Sequence, residues 1–114
     1  MAFRMLRVRA AATAALVVAL AASARGAEVE VVASNAGFRP AQLAVRKGET
    51  LRVRLVASDR EHCFAIDALR VEKRVVPGKR TLVELVPDRA GTFPIHCCLE
   101  PDNEALRGRL VVSE

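Results

Sequence analysis

From Glu28 onward apolar and polar side chains alternate with a period of two, and no stretch after residue 26 keeps a helical period over three turns. Alternation puts every second side chain on one face of an extended chain, so it builds strands with one buried face and excludes a helix bundle. Glu28–Val31 alternates cleanly, Ser34-Asn35-Ala36-Gly37 breaks the chain, and Phe38-Arg39-Pro40 leads into a second run, Gln42–Val45. After the turn Lys47-Gly48-Glu49, Leu51, Val53 and Leu55 face one way while Arg52 and Arg54 face the other. Ser58-Asp59-Arg60 ends that strand. His62–Ile66, Val71–Val76, Thr81–Val86, Thr92–Cys98 and Arg109–Val112 complete the set, separated by Pro77-Gly78-Lys79 and Pro87–Gly91 among other breaks. Roughly seven to eight short strands at regular turn spacing predict one all-β domain over residues 27–114, a Greek-key sandwich or barrel.

The residues before this domain have a different logic. Arg4, Arg7 and Arg9 precede an apolar run, Ala10–Ala22, which ends in the small residues Ala22-Ser23-Ala24-Arg25-Gly26. This is the three-part layout of a secretory signal peptide, with cleavage expected after Ala24 or Gly26. The run is shorter than the roughly 20 residues a bilayer-spanning helix needs. The leader also accounts for most of the net charge of +5: it holds four of the 18 basic residues and no acid, which leaves 14 basic against 13 acidic side chains. So balanced a remainder excludes a nucleic-acid binder, whose affinity rests on phosphate contacts. The expected product is a periplasmic or secreted domain of about 88 residues, with no membrane contact once the leader is gone. At that size a core needs help from a staple, a metal or extensive strand pairing.

Both histidines and all three cysteines fall in two short clusters, His62-Cys63 and His96-Cys97-Cys98, the second followed by Glu100. Alternation assigns their faces. Phe93, Ile95 and Cys97 share the apolar side of their strand, and His62 shares a side with Phe64 and Ile66. His62 and Cys97 are therefore expected inward, at strand ends, and Cys63, His96 and Cys98 outward. Glu100, three residues past Cys97, lies in the polar loop Leu99–Gly108, which is able to fold back over the strand ends. Imidazole, thiolate and carboxylate converging on one point suit copper best, with zinc or iron as alternatives. Each residue also has an ordinary role: a hydrogen-bonded core histidine, a small buried hydrophobe and a solvated loop carboxylate. Their convergence favours a single copper ion held by His62, Cys97 and Glu100. Its fourth position is empty, filled by water or reached by Glu104. His96 reads as a surface residue near the site.

The run His62–Glu72, the turn Val76-Pro77-Gly78-Lys79, the segment Pro87–Phe93 and the stretch from Cys97 to Val112 resemble a small cupredoxin over nearly the whole mature chain. Phe64-Ala65-Ile66-Asp67-Ala68, Asp88-Arg89-Ala90-Gly91 and Cys97-Cys98-Leu99-Glu100-Pro101 are most similar to the nitrosocyanin-like branch. The resemblance implies a first ligand histidine at His62 and the ligand cysteine at Cys97. This chain departs from the common pattern at two positions, with Glu100 where a second histidine is expected and Leu106 where methionine is common. Against the nitrosocyanin-like pattern, imidazole and carboxylate are exchanged and the last ligand is missing at Ala105.

Three cysteines leave at least one thiol unpaired in an oxidising compartment, where a metal thiolate protects it. Cys97 fits that role. Cys63 and Cys98 can pair with each other if their Cα atoms come within about 4.4 to 6.8 Å. The expected function is electron exchange with an exported redox partner or binding of a small ligand such as nitric oxide or peroxide. Copper delivery or sequestration and a metal-free binding module are the alternatives. No Ser/His/Asp constellation or phosphate-binding glycine loop points to hydrolysis.

Overall fold

The alternation becomes nine strands in the computed structural model, which describes residues 26–114. They are β1 (Ala27–Ser34), β2 (Gly37–Arg39), β3 (Gln42–Arg46), β4 (Leu51–Ala57), β5 (His62–Ile66), β6 (Val71–Val75), β7 (Thr81–Leu85), β8 (Gly91–His96) and β9 (Arg107–Ser113). One 3-10 turn, Asp67–Leu69, links β5 to β6. The leader expected over residues 1–26 lies, Gly26 apart, outside the described residues. Among those residues no helix is long and apolar enough to cross a membrane.

Two sheets face each other, one in the order β2-β1-β4-β7 and the other β3-β9-β8-β5-β6. β1 runs parallel to β4 and β3 parallel to β9. Parallel neighbours cannot be joined by a tight hairpin, so the chain crosses between sheets, and this produces the all-β Greek-key sandwich. The inward members of each alternation fill the space between. Val31 and Ala33 meet Leu51, Val53, Leu55 and Ala57 from one sheet, while Leu43, Val45, Phe64, Ile66, Ile95, Leu110 and Val112 come from the other. Phe38 and Phe64 pack edge to face, with ring centroids 5.8 Å apart.

Two expectations change. The chain has a ninth strand because β2, at three residues, is too short to show any period. It is set by Gly37, whose φ of +126° is open to glycine and whose Cβ would stand 2.6 Å from the Ala105 carbonyl oxygen. Cys63, expected on an exposed face, is fully buried, as is every residue of β5. The Cys63 sulfur is bonded to Cys98, so a side chain that points away from the core is still covered.

Candidate metal centre

Three connections meet at one end of the sandwich: the β1–β2 turn, the β4–β5 loop and the long β8–β9 loop. The Ser58 N–H donates to the Ala33 carbonyl at 3.0 Å, and the Asn35 N–H donates to Asp59 Oδ2 at 2.7 Å. Arg60 Nε donates to Asn35 Oδ1 at 2.6 Å and Arg60 Nη2 to Glu100 Oε2 at 2.5 Å, which brings in the third connection.

His62 opens β5 and has no exposed surface. Its Nε2 lies 2.8 Å from Asp59 Oδ1. A carboxylate only accepts, so Nε2 carries the proton and donates it. This leaves Nδ1 as the other face of the ring, and among the described residues it is the one buried side-chain nitrogen or oxygen without a hydrogen-bond partner. Asp59 is held ionised. The Asn35 N–H and then the His62 ring lower its pKa from 3.8 to about 2. Folding lowers that pKa, so Asp59 stabilises the fold fully above about pH 4 and loses this contribution as pH falls toward 2. Thermal melts between pH 5 and about 2 are therefore expected to decline more steeply for the native chain than for Asp59→Asn.

Cys97 follows β8 directly and is a buried free thiol. In the antiparallel pairing of β5 with β8, Ala65 stands opposite His96. One and two residues further on, Phe64 faces Cys97 and Cys63 faces Cys98. The Cys63–Cys98 disulfide, with Cα atoms 5.2 Å apart, follows that register. Cross-strand partners share a face, so Cys97 lies on the inner side with Phe64 and hence with His62 and Ile66. The sequence order thus places imidazole and thiol on the same buried face, and the disulfide ties the residue beside each. His96, on the other side, is half-buried, with Nε2 4.0 Å from Asp67 Oδ1.

Glu100 is in the same turn as Cys97, its N–H donating to the Cys97 carbonyl at 3.1 Å. Its carboxylate, however, is engaged elsewhere. Oε1 accepts from Asn103 Nδ2 at 2.9 Å and Oε2 from Arg60, and these two contacts hold its pKa below the usual carboxylate range. Glu104 is exposed and Leu106 fully buried. Among the described residues no three His, Cys, Asp or Glu side chains are gathered as a metal-holding group. The donors nevertheless suit copper: a buried orphan ring nitrogen and a buried free thiol on one face are a soft pair of the kind copper takes. Asp59, Arg60 and Asn103 escaped the sequence reading, in which Ser58-Asp59-Arg60 is just the end of a strand. The signal available was an acid three residues before an inward histidine.

The family model described as Cupredoxin-like domain matches residues 7–112. The chain belongs to the cupredoxin-like domain family. No curated protein sequence matches this cupredoxin-like chain. Among solved structures, it resembles the periplasmic domain of subunit II of cytochrome oxidase from Bradyrhizobium japonicum at 15% identity, with a TM-score of 0.66 over 76% of this chain and 83% of that one. Reduced auracyanin from Roseiflexus castenholzii is similar at 12% identity and a TM-score of 0.64, over 76% of this chain and 97% of that one. The Cu(I)-bound metal-binding domain of a Cu(I)-exporting P-type ATPase from Streptococcus pneumoniae matches at 16% identity and 0.62, over 76% and 85%. These likenesses establish the cupredoxin-like fold.

Proposed function

We propose that this cupredoxin-like chain is an exported protein that binds one copper ion through His62 Nδ1 and Cys97 Sγ, with Glu100 as the third donor. Its role on this reading is electron exchange with an exported redox partner, and the motifs around Phe64, Asp88 and Cys97, which resemble those of the nitrosocyanin-like branch, support assigning it there. The observation that carries the reading is the orphaned Nδ1 of His62. Leaving a buried acceptor unpaired costs about 1–3 kcal/mol, and a metal ligand removes that cost. Solved relatives of similar fold include a Cu(I)-bound domain and a copper nitrite reductase from Nitrosomonas europaea, which adds support for the metal.

The residues divide the work. Asp59 accepts the hydrogen bond from the Nε2–H and so holds the imidazole in the tautomer that presents Nδ1, as outer carboxylates do for ligand histidines. The apolar walls around Cys97, including Phe64 and Ile95, exclude water from the sulfur. Glu100 would have to turn away from Arg60 and Asn103 to serve as the third donor. Copper bound there would supply one-electron redox chemistry.

Titration with copper is expected to saturate at one ion per chain, and the oxidised protein to show a visible sulfur-to-copper charge-transfer band. Cys97→Ala abolishes the band and Glu100→Gln changes it. Protein that stays metal-free and colourless throughout leaves a metal-free binding module as the surviving reading.

A further inference from the structure

The β4–β5 loop places two adjacent residues with opposite tasks. Asp59 orients the imidazole, while Arg60 holds the carboxylate of Glu100. The hold on Glu100 is two-sided, because Asn103 takes Oε1 and Arg60 takes Oε2. Arg60 is itself fixed from the other side by Asn35 Oδ1 at 2.6 Å. In this arrangement Glu100 is not available as a donor, and what remains on the buried face is one ring nitrogen and one thiol. Soft sulfur donors in low coordination select Cu(I), whereas sets rich in nitrogen and oxygen suit Cu(II).

We infer that Arg60, seconded by Asn103, acts as an oxidation-state selector: by latching Glu100 away from His62 and Cys97 it leaves a two-donor site that prefers Cu(I). This rests on the copper reading above and deepens it. Arg60 touches no metal in this scheme; it is a positioning residue that acts through Glu100. The latch and the donors lie on different segments, Arg60 between β4 and β5 and Glu100 between β8 and β9, so the selection depends on the tertiary contact between them. Because Cu(II) binding through Glu100 has to draw the carboxylate away from the hold of Arg60 and Asn103, the latch weakens Cu(II) affinity and leaves the His62–Cys97 pair untouched.

The test measures two affinities on the purified protein, Cu(I) by competition with a coloured Cu(I) chelator under anaerobic conditions and Cu(II) by competition with a Cu(II) chelator. Arg60→Ala is expected to raise the ratio of Cu(II) to Cu(I) affinity by at least about tenfold, which lowers the one-electron potential by about 59 mV. Adding Glu100→Gln to Arg60→Ala is expected to cancel the rise, since the freed carboxylate is what produces it. Asn103→Ser frees the other oxygen and moves the ratio in the same direction, which keeps the inference testable if Arg60→Ala folds poorly. If the native protein takes up neither ion, the copper reading itself has failed. Copper uptake with a ratio that Arg60→Ala and Asn103→Ser leave unchanged or lower, or a rise that survives Glu100→Gln, overturns the selector.

Discussion

Serine at both positions 63 and 98 is expected to lower the melting temperature by roughly 15 to 30 °C. The disulfide closes a loop spanning 35 residues, and closing a loop of that length restricts the unfolded chain by about 4 kcal/mol in the chain-entropy model. For a domain of this size each kcal/mol moves the midpoint by about 4–8 °C. The effect is large because the fold is small: nine short strands within residues 27–113 leave a stability of which about 4 kcal/mol is a large share. Both cysteines are changed together so that no new lone thiol is left beside Cys97. A double variant melting within about 5 °C of the native protein would show that the unfolded chain gains little freedom from the loss. The crosslink also bears on the centre, since Cys63 follows His62 and Cys98 follows Cys97. It fixes the backbone of the two strands that carry the proposed donors.

His62→Leu separates a functional histidine from a structural one. Leucine is apolar and of similar bulk, so it fills the site without the unpaired Nδ1, whose burial costs about 1–3 kcal/mol. Asp59 loses its contact with the ring but keeps the N–H groups of Asn35 and Arg60, each at 2.7 Å. The metal-free variant is therefore expected to melt at or above the native temperature. Its copper affinity is expected to fall by more than about 100-fold, beyond what loss of an outer partner alone produces. A lowered midpoint together with intact copper uptake gives the opposite assignment: His62 would then be a packing residue that Asp59 satisfies, and the donor set would have to be sought elsewhere.

Much of the architecture can be read from the alternation. β4 shows why: Leu51, Val53 and Leu55 are buried while Arg52 is exposed, because a pleated strand with one face against a core has no other way to sort its side chains. The same alternation put His62 and Cys97 inward, and both are fully buried. It failed at β2, where three residues carry no period, and at Cys63, which is buried in a crosslink to Cys98. It also had nothing to say about Glu100. That residue follows Cys97 at a spacing that suits a ligand, yet its carboxylate is held by Arg60 from a loop 40 residues earlier.

By itself, then, the order of residues determined the strand set, the inward placement of one imidazole and one thiol, and the family. Those properties are local, since each follows from the side a given residue occupies on its own strand. Tertiary structure alone decided that Asp59 meets the ring of His62 with Nδ1 left bare, that Cys63 joins Cys98, and that Arg60 and Asn103 claim Glu100. With the exception of the short step from Asp59 to His62, these contacts depend on which loops the Greek-key path brings to one end of the sandwich. A hydrogen bond or a disulfide is formed through distances of a few ångströms in space, and no periodicity along the chain encodes them.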